Sequence, residues 1–407
     1  MAAHLPAFLT FHPPAPTTAS RRALTSRIKR LAVQNGLPIV AVTTAESFPG
    51  LGEYLAEHVA AGRMAGLDWF TAERGAFSAD PRNLQETARS IVSVGVPYWS
   101  RDPGKPVDDE PRGRISRYAW GVDYHDLLKE RLRRLHAAIE AEVGRPVEAR
   151  FLTDTARIVD RAVAARSGLG WYGKHTCIIV PGRGSWVMLG ELLLDLELEP
   201  DAPLSRDCGR CTICLNRCPT GAIIAPYVVD TPRCLSFQTI EQRGPIPREI
   251  RPLLGDWVFG CDVCQEVCPY TKAAKPEPDP AFLPRRLENA YPSLRWLLRM
   301  TQEEFREVYR GTAVVRAKRR GLARNAAVAL GNVGTEEDVP YLQEAAESHD
   351  EPLVRGHAIW ALSRIGGARA RQVIERRWRE EPDEQVREEI AAALEGAEPV
   401  EAPSVTQ

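Results

Sequence analysis

Cys208-Gly-Arg-Cys211-Thr-Ile-Cys214-Leu-Asn-Arg-Cys218-Pro219 follows the spacing C-x2-C-x2-C-x3-C-P without a deviation, the pattern that binds 4Fe-4S cubanes in pairs. Three closely spaced thiolates wrap a loop around one cubane, while the fourth points away to its neighbour. A second run, Cys261-Asp-Val-Cys264-Gln-Glu-Val-Cys268-Pro269, repeats the end of the motif one cysteine short, and Cys234 can supply that cysteine from a distance. By the crossing rule, Cys208, Cys211, Cys214 and Cys268 are expected to hold one 4Fe-4S cluster, and Cys218, Cys234, Cys261 and Cys264 the other. Structural zinc sites with four cysteines also favour C-x2-C pairs. They explain neither the three-cysteine wrap nor the Cys-Pro ending that occurs twice. Cys177, isolated in TCIIV, is left over and reads as a buried core thiol.

On either side of the cysteines the composition changes. Between about 205 and 285 apolar content drops while Gly and Pro rise, so burial alone cannot fold this segment and ligated metal must supply the missing stability. A domain is expected over 201–285. Before it, over 21–200, the pattern alternates. RALTSRIKRLAVQNG reads as a helix and PIVAVTTA as a strand, and NLQETA leads into the apolar strand SIVSVGVPYW. DYHDLLKERLRRLHAAIEAEVG is a long amphipathic helix, and TCIIV and SWVMLGELLLDLEL look like strands. That is an α+β or α/β domain with its own core. After the cysteines, over 286–397, a spacing of 32 residues aligns Leu322 with Val354 and Val386, Ala329 with Ala361 and Ala393, and Gly334 with Gly366. This is a short helical solenoid of HEAT type, since neither helix pair can bury its apolar face without a neighbour. Residues 1–20, rich in Pro, Ala and Thr, are expected to form a flexible arm, and the tail, 398–407, to be disordered.

The bulk numbers agree. A chain of 407 residues exceeds what one core usually supports, so two or three domains are expected. With 44% hydrophobic and 26% charged residues the composition is globular, and no apolar run is long enough to cross a bilayer, so a membrane-spanning reading is dropped. Lys plus Arg (53) nearly balances Asp plus Glu (54), so any basic surface must be local. Arg21-Arg22 invites a twin-arginine export reading, but TSRIKRLAVQNG is too charged for the apolar region such a signal needs. Ser20 reads instead as a helix cap, the arginine pair as a solvated face, and the chain as cytoplasmic.

Gly168-Leu-Gly170-Trp-Tyr-Gly173-Lys174 satisfies G-x-G-x-x-G, but a helix precedes it and a strand follows, the reverse of the order a phosphate-binding loop needs. A tight helix-to-strand turn is the better reading. Asp154, in FLTDTARIVDRAVAARSG, sits where a helix is expected to begin and reads as an N-cap. His125 reads as a surface or packing residue. Arg310, Arg316, Lys318, Arg319, Arg320 and Arg324 gather in VYRGTAVVRAKRRGLARN, a charge run that on composition alone is a solvated face.

Taken together, the order of DYH, then DTA followed by GLGWYGK, then the two cysteine runs, then RNAAVALGN resembles the epoxyqueuosine reductases, from about residue 22 to about 395. The resemblance implies an α+β chain with three parts: an N-terminal cobalamin-binding α/β domain similar to reductive dehalogenases, a two-cluster ferredoxin-like insert, and a C-terminal HEAT-like α-helical repeat domain that binds tRNA. It implies reduction of epoxyqueuosine to queuosine at the wobble position of tRNA anticodons. It places the family's proton donor on Asp154. Its corrinoid, cobalamin as cob(II)alamin, is expected against Asp154, Lys174, Cys177 through its backbone, and Trp186, with Ser236, Cys261 and Asp262 approaching from the cluster side. His175 stands where the family more often has Asn. With the resemblance, phosphate contact by Arg316, Lys318, Arg319, Arg320 and Arg324 becomes the favoured role of the basic run.

Two clusters form an electron wire that needs an acceptor, and with neither a credible nicotinamide fingerprint nor a c-type haem motif in the chain, a corrinoid fills that vacancy. To hold a proton near neutral pH, Asp154 is expected to have a raised pKa through burial beside the corrinoid. An external low-potential electron donor, an epoxyqueuosine-containing tRNA and a monomeric state complete the expectations. A reductive dehalogenase is the nearest enzymatic rival, although it has no use for a helical repeat. A non-catalytic electron carrier or RNA-binding scaffold would leave residues 21–200 without a task.

Overall fold

The computed structural model describes residues 6, 8, 11 and 18–395. The tail expected to be disordered, 398–407, lies outside the described residues, as does most of the expected arm. Where the arm is described it is anchored. Phe8 is buried with its ring 4.6 Å from that of Tyr54, and Phe11 meets Phe48 edge-on. The Pro, Ala and Thr content hid these two aromatics, whose burial opposes fraying. The first helix, Ala19–Gln34, is capped not by Ser20 but by Thr18, whose Oγ1 accepts the Arg21 N–H.

Contacts group the chain into two bodies, and the first consists of Met1–Asp102, Arg117–Cys234 and Asp262–Leu283. Its centre is an antiparallel sheet in the order Ile39–Thr44, Ser90–Pro97, Val187–Leu194, Ala149–Leu152. Alternation along the strands feeds two cores. Val92, Val94, Val96, Leu192 and Leu194 face one side, where Ala19–Gln34 and Tyr124–Val143 lay down Ile28, Ala32, Leu128 and Leu132. Ile91 and Leu193 face the other, packed by Ala162 and Val163 of the helix Asp160–Arg166. Covering both faces explains why SIVSVGVP reads as one apolar run. The segment TCIIV contributes only the short strand Ile178–Ile179, paired with Trp171–Tyr172.

The second body consists of Pro103–Ser116, Leu235–Cys261 and Pro284–Gln407. Its helices Lys318–Val333, Pro352–Ile365 and Glu384–Glu395 pack in series, with Val339–Ser348 and Gly367–Glu380 alongside. The repeat positions Leu322, Val354 and Val386 are all buried, as are Ala329 and Ala361.

The cysteine segment, expected as a domain of its own, is divided between the two bodies: 201–234 and 262–283 group with the first, 235–261 with the second. Its helices are short, Ile213–Arg217, Val263–Glu266 and Pro269–Lys272. The small apolar cluster at Cys268 is closed by Trp171 and Ile179 from the N-terminal part of the chain. Too little apolar side chain is available for a third core.

Candidate functional site

A cavity of about 520 Å³ opens in the first body between the second face of the sheet and the loops beside it. Leu55, Met64, Phe70, Val187 and Leu189 make its walls apolar, and Asp154, Asp160, Arg161, Cys177 and Gln265 bring polar groups into it. Few polar groups converging in an apolar pocket of this size is the usual form of a small-molecule or cofactor site.

Asp154 is not the N-cap of a helix. The helix begins at Asp160, and Asp154 stands in the preceding loop with a positive φ of 32°, a backbone conformation that costs a non-glycine residue energy. Its side chain remains 59% exposed to the cavity. Tyr124 Oη donates to Asp154 Oδ2 at 2.6 Å, and His125 Nε2 lies 3.4 Å from the same oxygen. On its other edge, His125 Nδ1 is 2.9 Å from Asp123 Oδ1. Asp123 itself caps the helix Tyr124–Val143, accepting the His125 backbone N–H, so the cap fixes both residues that address Asp154.

These partners decide the charges. Desolvation disfavours a charged His125, but Asp123 and Asp154 outweigh it and lift the ring to about 9. Desolvation pushes the Asp154 carboxyl up. His125 and Tyr124, together with the charge of Arg161, push it down further and hold it below its ordinary value. The expected raised pKa of Asp154 is therefore corrected: at neutral pH the proton resides on His125, and Asp154 is its anionic partner. His125 and Tyr124, read as unremarkable in the helix pattern, are the residues that sequence reasoning missed. Their signal was the DYH triplet itself, whose spacing after an N-cap aims two side chains one way.

The thiols come together on the same body. Burial raises the Cys214 thiol, and Cys208, Cys211 and Cys268 all act on it in the same direction, so these four lie within mutual electrostatic range. Helices Ile213–Arg217 and Val263–Glu266 pack against each other and bring the two runs together. The Cys218 sulfur accepts the Ala222 backbone N–H at 3.2 Å, the kind of donor that stabilises a ligating thiolate. Cys261 ends the stretch that groups with the second body. Cys177, read as a core thiol, lines the cavity; burial pushes it up to about 11, and Cys234 and Cys268, one from each expected set, both act on it.

Other expected cofactor contacts are engaged elsewhere. Lys174 is buried and its Nζ donates to the carbonyls of Gly209 (2.6 Å) and Cys211 (2.9 Å), so its ammonium tightens the cysteine loop. Trp186 is buried in the first core, edge-on to Tyr98. Asp262 accepts the Arg117 backbone N–H and pairs with its guanidinium. None of the three is among the cavity-lining residues. Ser236 belongs to the second body. His175 Nδ1 accepts the Cys177 N–H at 3.1 Å and so holds the turn. The glycines there serve close packing: a Cβ on Gly170 would meet Ile178 Cγ2 at 2.4 Å.

The basic run also divides. Arg324 is only 1% exposed and donates to the carbonyls of Gln238, Gln242 and Gly244, which removes it as a phosphate contact. Arg319 is largely covered and pairs with Asp350. Arg316 is exposed but bound to Glu241 through two hydrogen bonds of 2.9 Å. Lys318 is exposed and Arg320 half-buried. Among the described residues, no helix is long and apolar enough to cross a membrane.

Comparison with known proteins agrees with this arrangement. Residues 79–155 match a family model described as epoxyqueuosine reductase QueG, residues 207–271 a 4Fe-4S double cluster binding domain, and residues 311–395 HEAT repeats. The chain is 39% identical to an epoxyqueuosine reductase of Xanthomonas campestris, covering 87% of this chain and 98% of that one. It is 36% identical to one of Staphylococcus aureus, over 88% and 93% respectively. A crystal structure of an epoxyqueuosine reductase with an epoxyqueuosine-modified tRNA-Tyr stem loop superposes with a TM-score of 0.86 at 33% identity, covering 92% of this chain and 99% of the other.

Proposed function

We propose that this chain, which belongs to the epoxyqueuosine reductase family, reduces the epoxide of epoxyqueuosine in the anticodon loop of tRNA to the alkene of queuosine. The observation that carries the reading is the meeting, at one apolar cavity, of the Tyr124–His125–Asp154 array with Cys177, on which a thiol from each cysteine set acts.

The residues fit the cofactors this reaction needs. Cys208, Cys211, Cys214 and Cys268 would hold one cluster and Cys218, Cys234, Cys261 and Cys264 the other. The cavity's apolar walls suit a corrinoid, with Asp154 and Cys177 as the expected residues that reach it. When bound, the clusters supply single electrons from an external low-potential donor, and the corrinoid supplies the cobalt centre beside the substrate.

The chain's own residues manage protons. Converting an epoxide to an alkene consumes two electrons and two protons and releases water. His125 stores a proton beside Asp154 Oδ2, Asp154 lines the cavity to pass a proton to the departing oxygen, and Tyr124 fixes the carboxylate's orientation. A nucleoside in a single-stranded loop can be splayed into such a pocket. Lys318 and Arg320 are the remaining candidates for phosphate contact on the repeat body.

Anaerobic reconstitution with iron, sulfide and cobalamin, followed by reductant and an epoxyqueuosine-containing tRNA stem loop, tests the reading by nucleoside analysis. The alkene nucleoside is the expected product. Unchanged epoxide from fully loaded protein refutes it.

A further inference from the structure

The loop between the helices Leu51–Ala60 and Ala72–Ser78 lays four apolar side chains along the cavity, Met64, Leu67, Trp69 and Phe70. Three of them are partly covered, but Trp69 remains 50% exposed. An indole left half in water forfeits much of the stabilisation its burial would bring. The ring is nevertheless held in place. The loop winds through tight turns in which Leu67 N–H donates to the Met64 carbonyl at 3.1 Å and Phe70 N–H to that of Leu67 at 2.8 Å. Thr231 ties it from outside, donating to the Arg63 carbonyl at 3.0 Å. Phe70 meets the indole edge-on, with ring centroids 5.6 Å apart.

Arg74 joins this ring to the loop that carries Asp154. Its guanidinium carbon lies 4.8 Å from the centre of the Trp69 ring, a cation held against an aromatic face. The same guanidinium donates to the carbonyls of Thr155 (3.3 Å) and Ala156 (3.4 Å), which directly follow Asp154. Its backbone is fixed as well, because Thr71 Oγ1 caps the helix Ala72–Ser78 by accepting the Arg74 N–H. Arg157 is exposed on that second loop, its guanidinium 3.7 Å from the centre of the Phe77 ring. Among the described residues neither arginine forms an ion pair with a carboxylate. A fixed, half-exposed indole with two such cations beside it has the chemistry of a platform for single-stranded RNA, where bases stack on aromatic faces and phosphates meet basic side chains.

We propose that Trp69 is the stacking platform for an unpaired base next to the nucleoside that enters the cavity, with Arg157 taking the phosphate between the two. The inference rests on the epoxide-reduction reading. Splaying one nucleoside into the cavity strips its neighbour of a stacking partner, and the exposed half of the indole replaces that partner at the rim. Trp69 is a binding residue and takes no part in the proton steps at Asp154.

The test is equilibrium binding, without reductant, of an epoxyqueuosine stem loop to protein loaded with clusters and cobalamin, together with two loops that are abasic immediately before or immediately after the modified nucleoside. Trp69→Ala should weaken the intact loop about tenfold to a hundredfold. On one of the two abasic loops the same substitution should cost nothing, the signature of a pairwise contact already removed. Trp69→Phe should recover most of the affinity and Trp69→Leu little of it. Arg157→Gln should lower the salt dependence by about one phosphate contact. Undiminished affinity in Trp69→Ala, an equal loss on all three loops, corrinoid lost from that variant, or an unchanged salt slope in Arg157→Gln overturns the proposal. If wild-type protein binds through Trp69 but makes no alkene once reductant is added, the epoxide reading fails separately.

Discussion

Replacing His125 with Gln should remove a stabilisation that exists only on one side of a defined pH window. The ring lies 2.9 Å from Asp123 Oδ1 and 3.4 Å from Asp154 Oδ2, and its pKa rises from 6.5 to about 9 because those carboxylates outweigh desolvation. That interval corresponds to roughly 3 kcal/mol in favour of the imidazolium. The sign follows from a folded-state pKa above the unfolded one. The stabilisation is fully present below pH 6.5, is lost as pH climbs toward about 9, and is gone above it. Anaerobic urea unfolding of wild type and His125→Gln across this range should give curves that differ by roughly 3 kcal/mol on the acid side and converge on the alkaline side. Activity should follow the same ring. The wild-type rate should decline as pH passes about 9, and the variant should lose on the order of 10²-fold together with that limb. A stability deficit equal at every pH would refute the argument, because lost packing has no reason to titrate.

Four further perturbations separate roles that the sequence ran together. Asp154→Asn should leave iron, sulfide and corrinoid content intact while turnover falls by on the order of 10²–10⁴; retained turnover rejects the assigned role. Lys174→Met strands the carbonyls of Gly209 and Cys211, at about 1–3 kcal/mol each. Its expected effect is lower iron and sulfide per chain, with stem-loop affinity unaltered in whatever fraction stays loaded. Arg324→Met removes a buried guanidinium and leaves three carbonyls without their donor, so it should lower the melting temperature. Lys318→Ala with Arg320→Ala should instead weaken stem-loop binding and reduce its salt dependence by about one phosphate contact per residue. A melting temperature unaffected by Arg324→Met rejects the structural reading.

Much of the fold could be read from local pattern. The strand Ser90–Pro97 and the helix Tyr124–Val143 emerge where periodicity placed them, and the repeat at 32 residues matches the stacked helices of the second body. The cysteine pattern also brought Cys268 beside Cys208 and Cys214, 50 or more residues apart in sequence, because the ligand spacing encodes a three-dimensional object. Domain edges were less legible. A segment of turns and four- to six-residue helices has no periodicity to mark where its contacts go, and 201–285 was divided between bodies that each have a core. Charge runs misled for a related reason. Burial, which composition does not record, turns Arg324 from a candidate RNA contact into an internal bracket.

Of the candidate site, the sequence pointed to Asp154 and Cys177, which line the cavity, but not to the Tyr124 and His125 partners or to the protonation, and the difference is physical. A ligand set depends on residue type and spacing, both of which the sequence states. The location of a proton depends on a difference between desolvation and the partners that the fold supplies. Asp154 gains its partners from a helix start some 30 residues earlier, where Asp123 sets the cap and thereby the His125 ring. Had that cap been absent, desolvation would have been the larger influence on Asp154, and the expected protonated acid would follow. The same reasoning applied to Glu191, which is buried on the strand Val187–Leu194 and whose oxygens have no hydrogen-bond partner among the described residues, gives the opposite outcome, a carboxyl that burial pushes well above its ordinary value. One fold thus holds an anionic carboxylate at the cavity and a neutral carboxylic acid within its sheet.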